Sequence, residues 1–249
     1  MYTLASLTTF VTAYSQSDFF GKLIFLGLIA SSIICWVVLI HKVRMINKVK
    51  KISSAFQHAF EKNKERILSL ELADLPKAPT SATPHPFAQV FRALKEKTLE
   101  ILNKNHFFHA SKKETSSPSV YLSASDLELV ESYAFTTISA QTKLIEKNIF
   151  ILSTIVTLAP FLGLLGTVWG ILLTFAGLQG GAAGGSNAAI IGGLSTALAT
   201  TVLGLVIAIP ALIAYNYLRQ TTKTLSSDME DFLYLLLSTV ELQYRKADI

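Results

Sequence analysis

The chain has 249 residues, of which 51% are hydrophobic and only 16% are charged, and its formal net charge is +5. A soluble globular domain carries about 25% charged residues, so the composition disfavours that class and favours an integral membrane protein. A single cysteine excludes a disulfide framework.

The first apolar stretch, Leu23 to Ile40, is free of charge and is followed at once by basic residues that include Lys42 and Arg44. Lys and Arg close behind a span mark its cytoplasmic end, so the N-terminus is predicted to lie outside. A cleaved signal peptide is disfavoured, because only Lys22 precedes the apolar stretch and no small-residue cleavage site follows it.

The next hundred residues are predicted to form a cytoplasmic domain that is mostly helical. Residues 41–147 contain 17 Lys or Arg against 11 Asp or Glu, the bias of a cytoplasmic segment. Four prolines between Asp74 and Pro86 mark a linker. A second break is predicted from Asn105 to Ser125, where the string Ser125-Asp126-Leu127-Glu128 matches a capping box and signals a new helix.

The helix that begins near Ser125 has no evident stop before the membrane, so it is predicted to continue into the second span as one longer helix. His106 and His109 lie three residues apart in the predicted break. No Cys or carboxylate set completes a metal site with them, so an ordinary loop is favoured there.

From Asn148 to Leu218 the chain runs 71 residues without Asp, Glu, Lys, Arg or His. A bilayer core about 30 Å thick requires about 20 apolar helical residues, so this block holds two spans and a turn. The turn is the glycine-rich AGLQGGAAGGSN, in which Ser186 or Asn187 is placed to cap the following helix. The block is therefore predicted to be a helical hairpin that supplies no titrating group of its own.

After Leu218 the chain becomes amphipathic, with apolar residues at helical spacing among acidic ones. These apolar residues are Leu225, Met229, Phe232, Leu233, Leu236 and Val240. We expect them to pack against the protein's own cytoplasmic helices, with a contact to a partner or another subunit as the alternative.

Small and hydroxyl-bearing residues recur three or four positions apart along both spans of the hairpin. Such residues let helices approach closely in lipid and hydrogen-bond across them, so tight packing is one interpretation. The other is that the hydroxyls line a narrow wet path. The second span carries Ser153, Thr157, Pro160, Gly163, Thr167, Gly170 and Thr174, and the third carries Gly193, Ala197, Thr200, Gly204, Ala208 and Ala211, with Thr196 and Thr201 close by.

Two segments of the hairpin resemble the signature segments of the ExbB/TolQ/MotA family of proton-channel motor subunits. They are LAPFLGLLGTVWGILLTF at 158–175 and GGLSTALATTVLGLVIAIPALIAYN at 192–216. The layout of the whole chain is similar too, with one span, a long cytoplasmic segment, the hairpin and an amphipathic tail. The overall resemblance is closest to TolQ and ExbB. The short N-terminus, without an extra periplasmic extension, favours TolQ, and the size argues against the larger MotA branch.

The resemblance implies an all-α integral membrane protein with three transmembrane helices, long helices extending into a cytoplasmic helical domain, and a homopentameric assembly. It also implies a single-span partner similar to ExbD or TolR, whose Asp takes up and releases protons, and a TonB- or TolA-like protein that receives the work. Proton or sodium coupling, and TonB-type or Tol-type output, stay open. A static membrane scaffold is the rival from another class.

The family's pore threonines fall on Thr167 and Thr201, whereas Thr196 stands in STAL where many relatives have Glu in AEAL. The candidate path comprises Thr157, Thr167, Thr174, Thr196, Thr200 and Thr201, and the candidate packing residues are Pro160, Gly163, Gly166, Gly170, Gly204 and Pro210. No nucleophile-base pair, phosphate loop or metal cluster is evident, so we expect no catalysis, no cofactor and no nucleic-acid binding, only protein partners and membrane lipid.

The predicted organisation along the chain has seven parts. They are a periplasmic tail (1–18), transmembrane helix 1 (19–41), a cytoplasmic helical domain (42–148), transmembrane helix 2 (149–178), a periplasmic turn (179–188), transmembrane helix 3 (189–218) and a cytoplasmic amphipathic helix (219–249).

Overall fold

The computed structural model describes residues 10–15, 17–62, 84–111, 121–179 and 187–244. Five helices carry most of them: α1 (Phe19–Lys62), α2 (Pro86–Ser111), α3 (Ala124–Glu146), α4 (Ile149–Gln179) and α5 (Asn187–Tyr244). Helices α1, α4 and α5 are long and apolar enough to cross a membrane. The prediction of an all-α protein with three spans is therefore confirmed over the described residues.

The chain divides into two compact units. The first consists of Met1–Lys42 and Asn148–Leu218, and the second of Val43–Lys147 and Arg219–Ile249. Helices α1 and α5 each contribute residues to both units, because each helix runs through a point of division.

The first unit holds the three candidate spans, which pack through small and aliphatic side chains. Buried residues include Leu28 on α1, Leu152 and Ala159 on α4, and Ala197 and Ala211 on α5. The outer faces are apolar and open, as the exposure of 68% at Phe161, 58% at Val206 and 66% at Ile213 illustrates. Lipid or a neighbouring protein is what covers an apolar surface of this kind.

The second unit is built on a cluster of aromatic side chains. The ring of Phe232 on α5 lies 6.0 Å from Phe56, 5.4 Å from Phe60 and 5.3 Å from Phe87, measured between ring centroids. The other apolar residues of the amphipathic tail, Leu225, Met229, Leu233, Leu236 and Val240, are also buried. The prediction that this tail packs against the protein's own helices is confirmed.

Helix α3 begins two residues earlier than predicted. Ser123 is its N-cap: the Ser123 hydroxyl accepts from the Asp126 N–H at 3.2 Å, and the Asp126 carboxylate accepts from the Ser123 N–H at 3.0 Å. Ser125 and Glu128 have the same spacing as Ser123 and Asp126, so the pattern alone did not distinguish the two capping boxes.

The predicted continuity of this helix with the second span is wrong. Helix α3 ends at Glu146, and Asn148 adopts φ 71° before α4 begins at Ile149. A positive φ interrupts a right-handed helix, and Asn adopts it more readily than most residues. The helix therefore ends at a position that neither Gly nor Pro marks in the sequence.

The break predicted from Asn105 to Ser125 is wrong at its start, because α2 continues through His106 and His109 to Ser111. The predicted periplasmic tail, residues 1–18, also contains helical residues, at 10–15. Pro86 opens α2, at the helix position where a missing N–H costs least. The rest of the predicted linker from Asp74 to residue 83, and residues 180–186 of the predicted turn with Ser186, lie outside the described residues.

Candidate functional site in the helical hairpin

Helices α4 and α5 touch along glycine residues. A Cβ at Gly163 would lie 2.9 Å from Thr201 Cα and 3.0 Å from the Thr200 carbonyl oxygen, and a Cβ at Gly204 would lie 2.6 Å from the Ala159 carbonyl oxygen. Backbone atoms cannot move aside as a flexible side chain can. Only glycine therefore fits at these two crossings.

The same contact continues toward the end of α4. A Cβ at Gly170 would lie 2.7 Å from that of Ala197, and one at Gly166 would collide with the Thr200 side chain. We call the contact between the two helices the hairpin seam, formed by Gly163, Gly166, Thr167 and Gly170 on α4 and by Ala197, Thr200, Thr201 and Gly204 on α5. The packing role predicted for the four glycines agrees with this geometry.

Three threonine hydroxyls lie close together in the seam, and two of them donate to the same carbonyl group. The Gly163 carbonyl oxygen accepts from Thr201 Oγ1 at 2.9 Å and from Thr200 Oγ1 at 3.1 Å. Thr201 Oγ1 also lies 3.4 Å from Thr167 Oγ1, which donates to the Leu164 carbonyl at 2.7 Å. The two threonines singled out by the family resemblance are thus neighbours across the seam.

The remaining predicted path residues are placed differently. Thr174 and Thr196 donate to carbonyl groups of their own helices, Gly170 at 2.8 Å and Gly192 at 2.9 Å. Thr157 is exposed, donates within α4 to the Thr154 carbonyl at 3.0 Å and has no recorded hydrogen bond to the seam.

The predicted packing residues also include two prolines, which differ in burial. Pro160 is half-buried inside α4 and Pro210 is exposed inside α5. Pro210 therefore takes no part in the packing within this single chain, and its predicted packing role stays a prediction.

The seam offers neutral hydrogen-bonding groups and no charge. Threonine hydroxyls do not titrate near neutral pH, so this arrangement can orient water or accept from a protonated group but cannot itself take up a proton. Among the described residues no group of three His, Cys, Asp or Glu side chains could hold a metal ion.

One carboxylate that the sequence reasoning missed lies beside the hairpin. Asp18 caps the start of α1, where its carboxylate accepts from the Gly21 N–H at 2.9 Å and the Phe20 N–H at 3.3 Å. It also accepts from the Trp169 indole Nε1–H at 3.0 Å, and the Phe20 and Trp169 rings lie 4.7 Å apart. Asp just before an apolar stretch signals a helix cap. Its partner 151 residues away has no local sequence signal.

The surroundings of Asp18 keep it charged. Partial burial raises the pKa of its carboxyl, but the hydrogen bonds from Trp169, Gly21 and Phe20 outweigh this effect and hold the pKa below the ordinary value of 3.8. Asp18 is therefore an anion at neutral pH.

Known proteins with similar sequences identify the family of this hairpin. The family model described as the MotA/TolQ/ExbB proton channel family matches residues 100–231, more than half of the chain. A biopolymer transport protein ExbB of Helicobacter pylori is 46% identical over 98 residues, which cover 39% of this chain and 66% of that relative.

Two further relatives match over a longer range. A Tol-Pal system protein TolQ of Pseudomonas aeruginosa is 28% identical over 212 residues, 84% of this chain and 82% of the relative. A biopolymer transport protein ExbB of Pseudomonas putida is 29% identical over 226 residues, 88% of this chain and 59% of the relative. The matches to the two ExbB proteins thus span two thirds or less of those relatives' own length.

Proposed function

The chain belongs to the MotA/TolQ/ExbB proton channel family, and from this premise we propose that it is the stator subunit of an inner-membrane motor driven by the proton motive force. Its apolar helices and its ExbB and TolQ relatives support an inner-membrane, channel-type energising subunit. In the proposal, five copies surround the single-span helices of a partner similar to ExbD or TolR, with the N-terminus in the periplasm. The work passes to a TonB- or TolA-like protein.

The observation that supports this function is the contact between the hydroxyls of Thr167 and Thr201, 3.4 Å apart across the seam, in a stretch without any charged side chain. We propose that these hydroxyls hydrogen-bond to the partner's Asp, or to its water, at one station of the cycle. Protonation of a buried carboxylate removes most of the cost of moving it past an apolar wall. The membrane potential supplies about 2.3 kcal/mol per charge per 100 mV.

In this proposal the partner takes up the proton, because Thr196 carries a hydroxyl instead of a carboxylate. Many relatives have Glu at this position, but here a hydroxyl donates to the Gly192 carbonyl. An ionisable group inside a membrane is costly and usually functional. Since the hairpin from Asn148 to Leu218 has no Asp, Glu, Lys, Arg or His, the group that is protonated and deprotonated inside the membrane is expected on another chain.

The first experiment is to purify the complex from native membranes and weigh it intact. The proposal expects several copies of this chain together with a small protein that has one transmembrane helix and an Asp in it. A complex of this chain with no such partner would contradict the motor and favour a static scaffold, which the close glycine contacts of the seam also support.

The second experiment separates those two functions. Thr167→Val and Thr201→Val keep the side-chain shape and delete the hydroxyl, so a motor should lose force-dependent envelope function at normal protein levels while a scaffold should not. Thr224→Val is the matched control, because Thr224 on the same helix as Thr201 donates only to its own helix, at the Gln220 carbonyl. Dependence of function on sodium at a fixed membrane potential would identify a sodium-coupled stator instead.

A further inference from the structure

The first unit contains a cavity of about 420 Å³ that is partly open to the outside of the subunit. It lies between the start of α1 and the seam helices, so it draws on all three spans. Its polar lining comes from Ser17, Asp18, Trp169, Thr174, Thr196 and Thr200.

Each hydroxyl group of this lining already donates its proton in a hydrogen bond to a backbone carbonyl. Ser17 Oγ donates to the Ala13 carbonyl at 2.7 Å, while Thr174 and Thr196 donate to carbonyls of their own helices at 2.8 and 2.9 Å. Thr200 Oγ1 donates to Ala197 and Gly163 carbonyls at 2.7 and 3.1 Å. What each oxygen still offers is its lone pairs, which accept hydrogen bonds or coordinate cations.

The indole N–H of Trp169 is also engaged, because it donates a hydrogen bond to Asp18. The cavity therefore presents acceptors and one ionised carboxylate. An anion finds no free side-chain donor among these lining groups. A species that carries positive charge or donates protons fits them.

We propose that this cavity is a binding site for a small monovalent cation, Na⁺ with part of its water shell, held by Asp18 and by the hydroxyl oxygens of Ser17, Thr174 and Thr196. Oxygen atoms are the ligands that hard cations take. Lys22, four residues after Asp18 on α1, does not line the cavity, and α4 and the span part of α5 carry no Asp, Glu, Lys, Arg or His. Among the described residues, Asp18 is therefore the only charged side chain of the lining.

If the motor function proposed above holds with sodium as the coupling ion, this site collects the driving ion on the outer side, next to the seam. Binding of the cation itself does not depend on that function, on the partner or on a membrane potential. The competing explanation is that Asp18 only caps the N-terminus of α1 and accepts the hydrogen bond from Trp169. In the proposal, the charge of Asp18 also binds a cation.

The test uses the full chain reconstituted in lipid vesicles, with Trp36→Phe so that Trp169 is the remaining one of the two tryptophans. Its fluorescence is followed while NaCl replaces choline chloride at fixed neutral pH and fixed ionic strength. The proposal expects a saturable change as the sodium concentration rises.

Asp18→Asn distinguishes the charge from the cap, because an amide oxygen still accepts from Trp169 and from the helix N-terminus. Loss of a unit charge a few ångströms away should weaken the apparent affinity at least about fivefold even in a water-like dielectric. Asp228→Asn, an exposed carboxylate of the second unit, is the control that should change nothing.

Thr196→Glu adds a carboxylate to the same cavity and should restore the response in the Asp18→Asn protein. Such a restoration would show that the Asp18→Asn protein is folded and had lost only the charge. A flat response to sodium, or equal affinity with and without the Asp18 charge, would overturn the site. Neither result touches the motor, which is tested separately by Thr167→Val and Thr201→Val.

Discussion

The closeness of α4 and α5 can be tested with one methyl group. Gly204→Ala would place a Cβ 2.6 Å from the Ala159 carbonyl oxygen and 3.3 Å from Gly163 Cα, whereas ordinary contacts begin at 3.4 Å. Both neighbours are backbone, so relief requires the helices to move apart by about 0.8 Å at the oxygen, judged against that limit. Such a shift would stretch the 2.9 Å hydrogen bond from Thr201 to Gly163 beyond bonding range.

We expect this overpacking to cost about 1–3 kcal/mol. The gain in helix propensity from Gly to Ala, about 0.5–1 kcal/mol, opposes it and must be removed from the comparison. Gly177→Ala does so: Gly177 lies on α4 with nothing within 4 Å of a Cβ, so that variant receives the propensity gain alone.

The assay is thermal denaturation of the purified protein in mild detergent, followed by loss of its monodisperse elution peak. Each kcal/mol corresponds to about 2–4 °C for a chain of this size. Gly204→Ala should therefore denature several degrees below Gly177→Ala. Equal midpoints for the two variants would refute the direct backbone contact between the helices.

Two further predictions concern the second unit. Phe232→Ala removes the ring at the centre of the aromatic cluster and should cost about 3–5 kcal/mol, whereas Leu242→Ala, at a side chain that is 88% exposed, should leave the denaturation midpoint unchanged. Burial raises the pKa of Asp126, but hydrogen bonds from Ser123 and Asn105 lower it more. Because its folded pKa is depressed, the stability it contributes is present above the ordinary value of 3.8 and lost as the pH falls through the folded pKa. Asp126→Asn should flatten this acid dependence in an unfolding titration, and an unchanged slope would contradict the capping box.

The hairpin was predictable because its evidence lies in composition and local spacing. A stretch without charge long enough for two spans, with small residues three and four apart, predicts both the helices and the faces that meet. Spacing did not predict which hydroxyls touch. Thr200 and Thr201 are adjacent in sequence, and both reach the Gly163 carbonyl, which depends on how deeply the glycines let α5 approach.

Helix ends and long-range contacts escaped prediction for different reasons. Ser123 and Ser125 offer equivalent capping spacings, and the choice between them is made by packing, since Asn105 on α2 donates to Asp126 at 3.1 Å. The end of α3 depends on the left-handed conformation of a single residue, Asn148. The bond from Trp169 to Asp18 depends on tertiary structure alone.

The hydroxyl protons of the hairpin are already donated to backbone carbonyls, so the hairpin by itself lacks a ready relay for protons. A hydroxyl relays a proton only when it can pass on its own hydrogen while it accepts another. Thr167, Thr174 and Thr196 would each have to release a backbone carbonyl first. At about 0.6 kcal/mol for each bond in a membrane, three such releases together would occur in about one copy in twenty. If the proposed motor function holds, these bonds slow a proton leak through a copy that has not yet met its partner.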